Sequence, residues 1–120
     1  MANSIEWTGK SGHKYSFEPF PVGTQFNRVS GAYIACRKLV SGNFEALYVG
    51  EAQSLYDRLN AGSNNHDGLR RAAGKGMTHI AALRVNGNAE RLRVETDLRH
   101  GLNPSCNHQS VPKNTNALFR

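Results

Sequence analysis

The chain has 120 residues, with 15 lysine or arginine against 9 aspartate or glutamate, which gives a net charge of +6 and an isoelectric point near 9.8. This length fits one domain, since most domains contain about 100 to 150 residues, and we expect residues 1–120 to form one. With 38% hydrophobic residues and a mean hydropathy of −0.56, the composition excludes a disordered chain. The apolar runs are too short to span a bilayer and the N terminus lacks a signal-peptide core, which predicts a cytoplasmic protein without membrane association.

The excess of positive charge favours a polyanionic partner such as nucleic acid, and a merely solvated basic surface is the alternative. The arginines are concentrated in the second half of the chain, at Arg70, Arg71, Arg84, Arg91, Arg93 and Arg99.

The first predicted element is a short β-hairpin, in which IEWTG and KYSFEPF flank a turn at residues 10–12. The stretch PVGTQFNRVSG that follows has no persistent hydrophobic period and is predicted to be an irregular connection. We treat residues 1–28 as an N-terminal extension. It either adds strands to the main sheet or covers the flank of the domain, and the sequence leaves both possibilities open.

A second hairpin is predicted from AYIACRKLV and FEALYVG, which surround turn residues. A two-residue loop at residues 41–42 would pair Ala35 with Tyr48, so that Tyr33 lies diagonal to Tyr48 on the same face. A longer loop with a bulge would change this register. Strict alternation also predicts that Leu47 lies on the face opposite to Tyr48.

Ser54 is a candidate N-cap for the short helix LYDRLNA, which Gly62 would end. Its apolar stripe is Leu55 and Leu59, and Arg58 is one position away from the stripe, where it can reach back over the sheet. SNNHDGLRRAAGKG allows another helical turn or two, and MTHIAALRV is predicted to be a third strand of the main sheet.

The clearest helix is AERLRVETDLRHG, with Asn88 as N-cap and Gly101 as C-cap. A helical wheel places three leucines on one half, namely Leu92, Leu98 and Leu102. Glu95 falls in the same half, with arginines four residues before and after it. Two interpretations are open: an exposed stripe of ion pairs, or a carboxylate at the margin of the core that faces a cleft.

These features together resemble the GIY-YIG endonuclease domain, which occurs in intron homing nucleases, some restriction enzymes and the incision subunit of bacterial nucleotide-excision repair. The motifs occur in the order GAY at residues 31–33, YVG at residues 48–50, Arg58 within SLYDRL, His66, Glu95 within ERLRVETDL, and Asn107 in the ending LNPSCN. The resemblance covers residues 31–107. Ala32 and Val49 replace the isoleucines of the family name, which are mild apolar changes.

The resemblance implies an α+β fold in which helices pack on a mixed, mainly antiparallel sheet of about three strands, accompanied by the N-terminal hairpin. It also implies a metal-dependent endonuclease that hydrolyses phosphodiester bonds in DNA. Glu95 would hold one divalent cation, Mg²⁺ or Mn²⁺, and Arg58 would contact a phosphate oxygen. Tyr33 would activate or orient the attacking water, and Tyr48 would position water or phosphate beside it.

The remaining assignments concern the surroundings of this site. By resemblance, His66 would act as a proton relay and Asn107 would brace the site, whereas on chemistry alone Asn107 could equally cap a turn after Pro104. The DNA-binding residues are expected to be Arg58, Arg70, Arg71 and Lys75. The substrate would be DNA, with branched or damaged DNA among the candidates, and a partner protein could supply specificity. The alternative is a catalytically inactive nucleic-acid-binding module of the same fold.

Overall fold

The computed structural model describes residues 4–107. Its strands are β1 (Ile5–Thr8), β2 (Lys14–Pro21), β3 (Gly31–Lys38), β4 (Phe44–Ala52) and β5 (His79–Arg84), and its α-helices are α1 (Asp67–Gly74) and α2 (Asn88–Leu102). A π-helical turn at Tyr56–Ala61 and a 3₁₀ turn at Ser63–Asn65 precede α1. The five strands form one antiparallel sheet in the order β1-β2-β5-β3-β4, so the protein is a small α+β domain.

The expectation of a three-stranded sheet is wrong, because the N-terminal hairpin joins the sheet instead of covering its flank. The first half of β2 pairs with β1 and its second half pairs with β5, where Phe20 lies opposite Ile80. The added strands cover the edge that β5 would otherwise leave unpaired. They also bring Trp7, Tyr15 and Phe17 into the core, where all three are buried.

The β3–β4 hairpin has the predicted pairing near the tyrosines, but a longer turn and a β-bulge produce it instead of the predicted two-residue loop. Lys38 pairs with Phe44, and the backbone N–H of Leu39 donates to the carbonyl of Asn43, so the turn has three residues, one more than predicted. A β-bulge opposite the Ala35/Cys36 step then shifts the register. Ala35 consequently pairs with Tyr48 as predicted. The bulge also places Leu47 in the same buried cluster as Tyr48, so its predicted orientation is wrong.

The sheet is packed on both faces. Helix α2 lies on one face, where Val94 and Leu98 join the aromatic residues of β1 and β2. The π-helical turn and α1 cover the other face through Leu55, Leu59 and Leu69. Within residues 4–107, no helix is both long and apolar enough to cross a membrane.

Helix α2 differs from its prediction in its ends and in its buried face. It begins directly at Asn88, and it ends with Asn103 in the left-handed conformation, so Gly101 lies inside the helix. Leu92 is 57% exposed, although the helical wheel placed it on the same half as Leu98 and Leu102. Because Leu92 is about 200° from Val94 around the helix, it cannot share the face that Val94 and Leu98 bury.

Candidate active site

A cleft of about 300 Å³ opens where the π-helical turn and α2 meet strands β3 and β4. Its lining residues are Tyr33, Tyr48, Gly50, Glu51, Arg58, Leu92 and Glu95. Four of the six residues predicted to be catalytic thus line one cavity, although they are far apart in sequence. The other two, His66 and Asn107, lie behind its walls.

The two tyrosines come from neighbouring strands, and their ring centroids are 6.2 Å apart. Each ring occupies space that only a glycine leaves open. A Cβ atom at Gly50 would lie 2.5 Å from Cζ of Tyr33, and one at Gly68 in α1 would overlap the ring of Tyr48. The glycine of YVG therefore leaves the space that the ring of the GAY tyrosine occupies. Gly31 has a backbone role, since a Cβ atom at this position would collide with the carbonyl oxygen of Leu83.

We expect Gly50→Ala to displace the Tyr33 ring and to lower the free energy of unfolding by about 1–3 kcal/mol, the usual cost of overpacking. Urea denaturation measures this loss. Gly74→Ala is the matched control, because a Cβ at Gly74 meets nothing within 4 Å and alanine favours the helix by up to about 1 kcal/mol. Equal stability of Gly50→Ala and the wild type would contradict the packing described above.

Arg58 is carried by the π-helical turn, and helical irregularities of this type are frequent at functional sites. Leu55 and Leu59 anchor the turn in the core, and the hydroxyl of Ser54 accepts a hydrogen bond from the backbone N–H of Asp57, as its predicted capping role requires. The Arg58 side chain is exposed and reaches the cleft. Its position beside the core stripe agrees with the prediction.

Burial is the main cause that raises the pKa of both Tyr33 and Tyr48 above the ordinary value of tyrosine. The charge of Arg58 and its hydrogen bonding lower the pKa of both phenols and partly offset this effect. Both residues are therefore neutral phenols at neutral pH and present hydroxyl groups to the cleft. Arg58 is the nearby cation that stabilises negative charge on either oxygen.

His66 is completely buried and links α1 to Tyr33. It is the N-cap of α1, where its Nδ1 accepts a hydrogen bond from the backbone N–H of Leu69 at 3.2 Å. Its Nε2 lies 2.6 Å from the hydroxyl oxygen of Tyr33. Because Nδ1 accepts, the neutral ring carries its proton on Nε2 and donates it to Tyr33. The phenol proton of Tyr33 is then directed to another acceptor.

Burial, reinforced by nearby Arg58, lowers the pKa of His66 to about 4. The unfolded chain takes up this proton near pH 6.5 and the folded chain only near pH 4, so the stability from neutral His66 is complete above pH 6.5 and is lost as the pH falls toward 4. The loss amounts to up to about 3 kcal/mol. We expect His66→Asn, which retains an N-cap residue, to remove this component in urea titrations at several pH values. Parallel stability curves for wild type and variant would contradict the assignment.

Glu95 lies in the buried face of α2 at the cleft, with only 7% of its side chain exposed. Its Oε2 accepts a hydrogen bond from Nε of Arg99 at 3.1 Å, and its Oε1 accepts one from the hydroxyl of Thr96 at 3.3 Å. Burial raises the pKa of Glu95, whereas Arg99 and Thr96 lower it. The interpretation of Glu95 as part of an exposed stripe of ion pairs is wrong, because little of the Arg99–Glu95 pair is exposed and Glu95 faces a cleft.

Glu51 is a second carboxylate in the cleft that the sequence reasoning missed. It follows YVG directly, is 32% exposed, and pairs with Nε of the buried Arg91 at 2.9 Å. Arg91 therefore contacts Glu51 and not Glu95. Glu51 could have been identified from its place immediately after the second motif, YVG. Within residues 4–107, no group of three or more His, Cys, Asp or Glu side chains is arranged to hold a metal ion.

Asn107 braces the cleft from behind. Its side chain donates to the carbonyl of Val49 at 2.9 Å and accepts from the backbone N–H of Val49 at 2.8 Å, as a neighbouring strand would do at this open edge of the sheet. Its own N–H also closes a turn on the carbonyl of Pro104. None of these contacts places Asn107 in the cavity.

The remaining basic residues lie outside the cleft. Arg71 donates two hydrogen bonds to the carbonyl of Cys106, at 3.0 and 2.8 Å, and so fastens the segment that leads to Asn107. Arg70 contacts Asp67 and the carbonyl of Asn64 and stays exposed. Lys75 is exposed just beyond α1. Of the four residues expected to bind DNA, only Arg58 lines the cavity.

The fold and site together define a small α+β domain with a polar cleft that combines two phenols, a guanidinium and a buried carboxylate. Comparisons of the chain with protein-family models, with curated proteins and with solved structures found no match.

Proposed function

We propose that this protein is a metal-dependent endonuclease that hydrolyses phosphodiester bonds in DNA. The observation that carries the proposal is the meeting of Tyr33, Tyr48, Arg58 and Glu95 in one cleft. Phosphodiester hydrolysis requires a positioned water, stabilisation of negative charge on phosphate oxygens and assistance to the leaving alkoxide. The sequence resemblance to the GIY-YIG domain names the same residues.

The carboxylate of Glu95 suits a hard divalent cation such as Mg²⁺ or Mn²⁺, because these ions are held by one or two carboxylates and retain several waters. Each carboxylate oxygen of Glu95 accepts one hydrogen bond, Oε2 from Arg99 at 3.1 Å and Oε1 from Thr96 at 3.3 Å, so each retains a lone pair for a metal. Glu95 would hold the cation, with Glu51 beside it. A bound cation would supply Lewis-acid stabilisation of the phosphate charge.

Arg58 would bind a nonbridging phosphate oxygen and stabilise the charge that grows during attack. Its permanently charged, fork-shaped guanidinium suits this task, and its exposed position lets substrate reach it. Tyr48, which lines the same cleft, would position the phosphate or the attacking water. These residues bind and orient the substrate before reaction.

Tyr33 would orient the attacking water through its hydroxyl group. Since His66 donates to its oxygen, the phenol proton is available for donation into the cleft, and a phenolate at Tyr33 would be stabilised by both His66 and Arg58. His66, with its pKa lowered to about 4, is neutral at neutral pH and acts as a donor to Tyr33. It would thus be a positioning residue for Tyr33.

One observation favours the alternative, a binding module without catalysis. Glu95 is already neutralised by Arg99 at 3.1 Å, so its charge would not repel a DNA phosphate. Against it, a binding module has no requirement for two buried phenols that face a carboxylate. Such a module would retain DNA affinity and lack metal-dependent cleavage.

The proposal is tested by incubating the purified protein with supercoiled plasmid and with branched DNA, in Mg²⁺, in Mn²⁺ and in excess chelator. We expect nicked or linear products with either metal and none with chelator. A parallel RNA substrate defines which nucleic acid is cut. Binding to DNA without cleavage in either metal would support the alternative and contradict the proposal.

A further inference from the structure

The π-helical turn is fastened at its start to the connection between β2 and β3, residues 22–30. The backbone N–H of Leu55 donates to the carbonyl of Val29 at 2.8 Å. The backbone N–H of Tyr56 donates to the carbonyl of Asn27 at 3.2 Å. The first N–H groups of a helix have no partner within the helix. The connection therefore supplies acceptors that this end of the turn requires.

Asn60 fastens the other end of the turn to the same connection. Its Oδ1 accepts a hydrogen bond from the backbone N–H of Phe26 at 2.8 Å, and its Nδ2 donates to the carbonyl of Thr24 at 3.0 Å. The side-chain amide offers an acceptor and a donor together, which suits it to bind one N–H and one carbonyl of a neighbouring chain segment. Both hydrogen bonds are partly buried, so water competes little for these groups.

The connection is itself fixed to the core. Phe26 and Val29 pack against the buried cluster that the π-helical turn covers. The ring of Phe26 also meets the ring of Phe20 in β2 edge-on, with centroids 5.4 Å apart. Asn60 does not line the cleft. Its hydrogen bonds therefore tie the turn to the core without placing Asn60 in contact with a molecule in the cleft.

We propose that Asn60 is a positioning residue for Arg58, which it directs into the cleft by fixing the π-helical turn to residues 22–30. The inference rests on the proposed function for its effect on cleavage. Arg58 lies two residues before Asn60 and reaches the cleft from an exposed position, so the path of its long side chain depends on the backbone of the turn. Misplacing a catalytic group by about 1 Å can lower a rate about a hundredfold.

The kinetic test compares Asn60→Ala with Thr78→Ala in single-turnover cleavage of plasmid DNA with Mg²⁺. Thr78 is the matched control, because its hydroxyl also accepts a hydrogen bond from a backbone N–H, that of Lys38 at 2.8 Å, and it does not line the cleft. We expect Asn60→Ala to cleave about ten- to a hundredfold more slowly than the wild type, and Thr78→Ala to stay within about twofold. Equal rates of the two variants would overturn the proposal.

The same substitution in an Arg58→Ala background separates positioning from a general loss of structure. If Asn60 acts through Arg58, Asn60→Ala should slow the Arg58→Ala protein by no more than about twofold. A loss of the same factor in both backgrounds would overturn the proposal. If Asn60→Ala does not fold, the comparisons are made with Asn60→Asp, which keeps the bond to Phe26, loses the bond to Thr24, and is expected to cleave about five- to tenfold more slowly.

A measurement without substrate separates this inference from the proposed function. Arg58 acts on both cleft phenols through hydrogen bonding and charge, so the ¹³Cζ NMR signals of Tyr33 and Tyr48 report on the position of its guanidinium. In protein labelled with ¹³C-tyrosine, we expect Asn60→Ala to shift both signals in the same direction as Arg58→Ala, and Thr78→Ala to leave them in place. The predicted shifts without cleavage by the wild type would contradict the proposed function alone. Cleavage by the wild type with unshifted signals in Asn60→Ala would overturn the inference alone.

Discussion

Glu95→Gln is expected to reduce metal-dependent DNA cleavage at least about a thousand-fold, because a metal contribution of several kcal/mol to the transition state would be lost. The glutamine amide retains the shape of the side chain and an oxygen for Arg99, which is only 14% exposed and would otherwise lose a buried partner. The variant should therefore remain folded. DNA binding is expected to persist, since phosphate contacts elsewhere provide most of the affinity.

The control for this variant is Glu90→Gln, which makes the same chemical change on the same helix. Glu90 is exposed, pairs with Arg93 and does not line the cleft. Plasmid nicking rates of the two variants are compared at matched concentrations, after circular dichroism has established equal folding. If Glu95→Gln cleaved as fast as Glu90→Gln, Glu95 would have no role in the reaction.

Arg58→Ala should lower the cleavage rate by about a hundred- to a thousand-fold, the usual effect of removing one group that stabilises developing charge. Because Arg58 also lowers the pKa of Tyr33 and Tyr48, its removal raises both pKa values further. Arg58→Lys restores the charge without the planar fork, and an intermediate rate is expected. Single-turnover cleavage measures each rate.

Arg28→Ala is the matched control for this series. Arg28 is another exposed arginine near the π-helical turn, where it pairs with Asp57 at 3.2 Å and lies over the ring of Tyr56. It contributes nothing to the cleft, so its loss should leave the rate within about twofold of the wild type. Equal losses for Arg28→Ala and Arg58→Ala would indicate a general effect of charge.

The sequence was most informative where local pattern and chemistry agree. Turn residues and alternation predicted both hairpins, and the predicted pairing of Ala35 with Tyr48 implied that Tyr33 and Tyr48 would be neighbours. Arg58 was located from its place beside the Leu55 and Leu59 stripe. Glu95 could be assigned to a cleft only as one of two interpretations, since helical spacing does not reveal what lies opposite a helix.

Long-range packing accounts for what the sequence did not disclose. Leu47 is reversed by a β-bulge in the pairing of β3 with β4, and the joining of the hairpin to β5 depends on strands far apart in the chain. The outward position of Leu92 was hidden because three leucines on a wheel suggested one face, whereas Val94 and Leu98 fix the buried one. The cap that His66 forms on α1 could not be predicted from the sequence, because the first residue of the helix was not known.

If Arg58 and Glu95 belong to one reaction centre, as proposed, a double-mutant cycle should reveal strong coupling between them. Cleavage of one DNA substrate is measured for wild type, Arg58→Ala, Glu95→Gln and the double variant. Residues that act as a unit are strongly non-additive, so the double variant should be about as slow as the slower single variant. Single variants that retain the wild-type rate, or losses that multiply fully in the double variant, would contradict a shared site.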